Sequence, residues 1–118
     1  MSVPEELVYK ICPAGLWREA EATGVFKGAA VDLADGFIHF STAGQVAETA
    51  RKHFSGQRDL LLVAVATAAL GNALRFEPSR GGALFPHLYG PLPLTAVRGV
   101  VPLDTAPDGT VRIPAVLG

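Results

Sequence analysis

Cysteine is nearly missing from this chain. Cys12 is the only one, so no intrachain disulfide can form, and a thiolate zinc site or a paired-thiol redox centre has nothing to be built from. That usage makes the cytoplasm the expected compartment. A strong charge of one sign is missing too. Ten Lys and Arg stand against eleven Asp and Glu, for a formal net charge of −1, which removes the long-range attraction that duplex nucleic acid and anionic membrane surfaces require. No apolar run approaches the roughly 20 residues of a bilayer span. The opening Met1-Ser2-Val3-Pro4-Glu5-Glu6 has no basic segment ahead of a hydrophobic one. Also lacking are a Gly-rich dinucleotide fingerprint, a Walker loop, a GxSxG elbow and any close histidine pair with ligand spacing, so no metal is expected.

What the chain does have is core. Its 118 residues are 49% hydrophobic and 18% charged, which predicts one domain over residues 1–118 that can offset the entropy lost on folding. The length suits a monomer, although nothing in the composition fixes the oligomeric state.

Leu7-Val8-Tyr9-Lys10-Ile11 is β-branched and aromatic, which predicts a first strand, and Pro13 suits the first turn of a helix over about residues 13–22. Leu16, Trp17 and Ala20 share one face of that helix, with Trp17 as a core anchor and Gly24 as the stop. Over 25–35 no period persists, so a loop or short edge strand is expected. Phe37 to Ser41 predicts a strand with Ile38 and Phe40 on one face and Phe37, His39 and Ser41 on the other.

Thr42-Ala43-Gly44-Gln45 matches a capping box, opening a second helix whose buried stripe is Val46, Ala47, Ala50 and Phe54. Leu60 to Val65 is an unbroken apolar run, expected at the middle of the sheet with both faces covered. Ala73 to Glu77 alternates, placing Leu74 and Phe76 inward and Arg75 and Glu77 opposite. Ser79-Arg80-Gly81-Gly82 predicts a flexible loop, and two prolines place the extended segment Phe85 to Pro91 at a sheet edge. Leu94 to Leu103 supplies another strand, and Val111 to Ile113 pairs back after the Pro107-Asp108-Gly109 turn. Mixed elements of these lengths make an α/β or α+β domain.

The unusual polar residues fall in three short segments: His39, Ser41 and Thr42 at a strand-to-helix junction, Glu77 at a strand end, and His87 with Tyr89. Spacing by two puts Phe85, His87 and Tyr89 on one side of an extended segment, an aromatic, hydrogen-bonding strip suited to a ring-bearing small molecule. Each residue also has a structural explanation: backbone partners for His39, an ion pair with Arg75 or Arg80 for Glu77, a rigid proline-flanked corner for His87 and Tyr89. Their joint placement at element ends favours one pocket built from His39, Glu77, His87 and Tyr89.

Gly36-Phe37-Ile38-His39-Phe40-Ser41-Thr42 with Gln45, then Phe76-Glu77, then Phe85-Pro86-His87-Leu88-Tyr89-Gly90, resemble the signature of the bacterial family catalogued as domain of unknown function 952. Tyr9-Lys10-Ile11 and Trp17 fit it as well, so the likeness runs from about Val8 to Leu103. The resemblance implies a small α+β domain, with a bent or split, mostly antiparallel sheet and two main helices, similar to the ADP-ribosyltransferase fold. It implies NAD or a related nucleotide as ligand, and ADP-ribosyl or related glycosyl transfer as the chemistry. On that likeness His39 contacts a ribose hydroxyl, with Ser41 and Thr42 beside it in the motif. Tyr89 and Phe85 stack on a base, Arg80 approaches phosphate, and Glu77 or His87 is the acid/base or electrostatic group. The pattern departs in one respect. The glutamate of those enzymes follows the tyrosines, whereas Glu77 precedes Tyr89, and only Asp104 and Asp108 are acidic after it.

Overall fold

The apolar run at the middle of the chain organises the molecule. The computed structural model describes residues 6–114, the side chain of Arg80 excepted. In chain order, β1 (Leu7–Pro13) leads into α1 (Ala14–Thr23) and β2 (Val25–Phe26), followed by α2 (Ala30–Asp35), β3 (Ile38–His39) and α3 (Val46–His53). Then come β4 (Leu60–Ala66), β5 (Leu74–Pro78), β6 (Leu84–Leu88), β7 (Leu92–Pro93), β8 (Val97–Thr105) and β9 (Val111–Arg112). One sheet has the order β1-β4-β8-β9, a second β3-β6-β5, and β2 pairs with β7. All these pairings are antiparallel. Tyr9 and Ser41 exchange backbone hydrogen bonds of 2.8 and 2.7 Å, joining the first two sheets edge to edge into one curled surface. The architecture is α+β.

Strand alternation on β4 explains the two cores. Val63 and Val65 face one side, with Val8, Cys12, Trp17 and Ala20 of α1, while Leu60 and Leu62 face the other, with Tyr9, Ile11 and Val46 and Ala50 of α3. A strand covered on both faces has to be apolar at every position, as Leu60–Ala66 is. Burial pushes the Cys12 thiol up to about 11, which leaves it unreactive at neutral pH. Gly24 ends α1 in the left-handed conformation, its N–H bonded to the Ala20 carbonyl at 2.8 Å. No helix among the described residues is long and apolar enough to cross a membrane.

Several expectations need correction. Val25–Phe26 is the short edge strand expected, β2, but residues 30–35 form a third helix, α2, whose fewer than two turns are too short to show a period in sequence. Residues 80–82 form a 3₁₀ turn between β5 and β6, and Leu94–Ala96 is another, so β8 starts only at Val97. Ala47 is exposed, because the eight-residue α3 turns only Val46 and Ala50 fully inward. Phe76 is 42% exposed, since β5 runs past the end of the core and only Leu74 packs against it.

The segment with two prolines is not an edge: β6 lies between β3 and β5. Pro86 is tolerated there because its carbonyl accepts the Phe40 N–H at 2.9 Å, just past the end of β3. The nitrogen of a strand residue points to the same side as its carbonyl, so the missing N–H faces a position with no ladder to continue. Toward β5, Pro86 opposes Phe76 in a pair that exchanges no N–H.

Leu60, 1% exposed, is expected to cost about 2–5 kcal/mol when cut to Ala, against within about 0.5 kcal/mol for the exposed Val100→Ala. Urea unfolding of the two variants measures the difference.

Candidate functional site

Register builds the site from three strands. His39 of β3 lies opposite His87 of β6, and His87 lies opposite Arg75 of β5, so one transverse row reads His39, His87, Arg75. In the next row outward Glu77 opposes Phe85, and an antiparallel pair carries its side chains on the same face. Ile38, Leu74 and Leu88 point the other way, into the core. Tyr89 follows β6, its N–H bonded to the Ala73 carbonyl at 2.8 Å.

Phe37 fills the centre of this face. Its ring stacks on His87 with centroids 4.1 Å apart and an interplanar angle of 27°. The His39 ring is 4.6 Å away and the Tyr89 ring 5.2 Å, both tilted. His39 and His87 themselves meet edge to face at 5.6 Å. The Arg75 guanidinium sits 5.3 Å above the Tyr89 ring, within cation–π range.

At the rim, Glu77 Oε1 accepts the Tyr89 hydroxyl at 2.6 Å and meets His87 Nδ1 at 2.9 Å. The Tyr89 bond first, then the His87 bond, hold the Glu77 carboxyl below its usual range. The same contact raises the Tyr89 phenol, so Tyr89 keeps its proton and donates. Both bonds fall on one oxygen. Glu77 Oε2 has no hydrogen-bond partner among the described residues, and the side chain is 34% exposed.

Behind this face lies a buried charge network. Asp32 of α2 has a side chain only 1% exposed, and its Oδ2 is 3.0 Å from Lys10 Nζ. Oδ2 also accepts the Ala29 N–H at 2.8 Å, while Oδ1 accepts the His39 N–H at 3.1 Å and meets His39 Nδ1 at 2.6 Å. Lys10 reaches in turn to the His39 carbonyl at 3.0 Å. Burial alone would raise the Asp32 carboxyl, but the Lys10 charge and the donors around it outweigh burial and hold it low. On the outer side, His39 Nε2 is 2.9 Å from Asp35 Oδ2. Both ring nitrogens thus face carboxylates, so a ligand hydroxyl that used this imidazole would have to displace Asp35.

His39, Glu77, His87 and Tyr89 are therefore brought together, and Phe85 stands opposite Glu77 on the same face. Ser41 and Thr42 are not part of it. The strand stops after His39, and Ser41 crosses to pair with β1, its hydroxyl buried against Thr49 of α3 at 2.9 Å. The Thr42 N–H donates to Gln45 Oε1 at 3.0 Å, one half of the capping box, and Gln45 Nε2 ties the Leu84 carbonyl at 2.7 Å. The expected role of Arg80 falls on a side chain outside the described residues. Glu77 pairs with His87 and Tyr89 rather than with Arg75, and His39 is held by carboxylates rather than by backbone carbonyls.

Sequence reasoning missed Phe37, Lys10, Asp32 and Asp35. For Lys10 a signal existed: it alternates with Val8 and Cys12 on one face of a strongly apolar strand, where a cation demands a buried acid. Among the described residues no three His, Cys, Asp or Glu side chains gather in metal-binding geometry.

Replacing Asp32 by Asn leaves the Lys10 ammonium buried without its counter-charge and is expected to cost about 3–5 kcal/mol. The folded-state carboxyl titrates below its ordinary value of 3.8. Its contribution is thus present above that pH and is lost as pH falls through the lower folded value. Acid titration of stability should show a flatter low-pH limb in Asp32→Asn than in the parent.

The chain matches the family model described as protein of unknown function (DUF952) over residues 11–100. The crystal structure of protein CC0527 from Caulobacter crescentus superposes with a TM-score of 0.87 at 51% identity, covering 90% of this chain and 93% of that one. The solution NMR structure of CC0527 gives 0.79 at 52% identity, over 89% and 90% of the two chains. No curated protein matches. With most of its length inside the family model, and half the aligned residues identical to those of a protein of the same fold, the chain belongs to the DUF952 family.

Proposed function

We propose that this domain binds NAD or a related nucleotide against the wall of Phe37, His87 and Tyr89, with Glu77 as the charged group that meets the ligand. The observation that carries this reading is the state of Glu77: ionised, pinned by two donors on Oε1, and with no partner on Oε2 among the described residues, beside aromatic rings. A fixed anion next to a π surface stabilises positive charge on a bound ring or on a sugar carbon losing its leaving group, and it needs no reorganisation to do so. That is the electrostatic demand of an oxocarbenium-like transition state. Arg75, above Tyr89, stands where a phosphate could be met.

One observation favours a second reading, a binding or sensing module without turnover. The bonds that hold Glu77 ionised also make it a poor proton acceptor, and both ring nitrogens of His39 are engaged by carboxylates, so general-base catalysis is served by neither.

Amide shifts during titration with NAD, ADP-ribose and nicotinamide test the binding. Movement at Glu77, His87 and Tyr89 is expected, and silence there at millimolar ligand overturns the reading. Release of nicotinamide separates the two versions. If the domain is an enzyme, Glu77→Gln should retain ligand and lose roughly 10²–10³-fold in rate, whereas a binding module releases none before or after the change.

A further inference from the structure

Phe37 has a second neighbourhood. Besides stacking on His87 it lines an open hollow of about 340 Å³ between α2 and the turn after β6, together with Lys27, Asp32, Leu33, Gly36 and Gly90. We propose that this hollow is a binding site for a small amphipathic monoanion, an apolar body carrying one carboxylate or similar group, a site that shares Phe37 but not Glu77, His87 or Tyr89 with the one proposed above.

Size, walls and charge carry the proposal. Pockets for small ligands begin at about 300 Å³ and are mostly apolar with few polar groups, and this one is walled by Leu33 and Phe37. Leu33 is 66% exposed, an apolar side chain turned away from the core of its own fold. Gly36 and Gly90 have φ of 85° and 145°, and a Cβ built on either would meet no atom within 4 Å. The chain thus turns at both rims with no side chain that could fill the space.

The charge at the hollow has one sign. Asp32 contributes little, because its carboxylate is neutralised by Lys10 and occupied by the Ala29 and His39 donors. Lys27 is exposed and forms no ion pair among the described residues. A ligand that lays an apolar body on Leu33 and Phe37 and its anion on Lys27 satisfies every group the hollow presents; a cation would meet Lys27 and no available carboxylate.

The inference does not depend on the nucleotide reading, and the same titration tells them apart. Phenylacetate and its neutral amide, phenylacetamide, serve as probes followed by amide shifts. Saturable shifts at Leu33, Gly36 and Gly90 are expected for the anion, with roughly threefold to fivefold weaker binding of the amide, the worth of one exposed ion pair. Lys27→Met should reduce phenylacetate to the affinity of the amide, Leu33→Asp should abolish binding of both, and Glu77→Gln should change neither. Equal affinities for acid and amide, an unchanged Lys27→Met, or shifts confined to His87 and Tyr89 would overturn it. Movement around Glu77 with NAD, in the absence of any response to phenylacetate, would support the first site and refute this one.

Discussion

A lysine buried between two core residues sets the terms for the rest of this structure. Lys10 shares a face of β1 with Val8 and Cys12, and it is only 8% exposed. An ammonium there costs several kcal/mol of desolvation unless a carboxylate meets it with good geometry. Asp32 supplies that carboxylate, and its remaining lone pairs take the Ala29 and His39 N–H groups. One buried acid thus fastens β1, the first turn of α2 and β3 at a single point. Gly28 reflects how closely the chain is drawn in. A Cβ there would lie 2.8 Å from that of Asp32, at a φ of 118° that side chains rarely adopt.

From that point the site follows by geometry. With β3 anchored, its register against β6 and β5 brings His39, His87 and Arg75 into one row, and the rings of Phe37 and Tyr89 close over them. Side chains locked by stacking and by carboxylate partners are preorganised, so a ligand meeting this face would lose little to ordering the protein. The same locking limits the chemistry. Glu77 is held as an anion and Tyr89 as a donor, an arrangement better suited to stabilising charge than to moving protons.

Much of this was legible in the residues themselves. Leu60 to Val65 declared a strand covered on both faces, Gly24 a helix stop, and the alternation of His87 and Tyr89 a polar strip on one side. Three things were not legible, each for a physical reason. Helix α2 is held by the Asp32 contacts rather than by a repeating apolar stripe, so no period announces it. Pro86 argued for an edge because its missing N–H is harmful in a continuous ladder, and only the early end of β3 removes that objection. An unbroken strand would set Ser41 beside His39, whereas the chain leaves β3 to bridge to Tyr9 and turns the hydroxyl toward α3. Contacts between residues distant in sequence decide all three.

The buried Lys10–Asp32 pair, beyond adding stability, fixes the orientation of the site. Substituting both partners by apolar residues, Lys10→Met with Asp32→Leu, removes the pair without stranding either charge and should leave the domain folded. Imidazole nitrogen and proton spectra of that double variant give the most direct reading. His39 should lose its distinct hydrogen-bonded Nδ1 signal, and the Phe37 ring-current shift on His87 should collapse. Histidine spectra identical to those of the parent, in a folded double variant, would show that the pair does not orient the site.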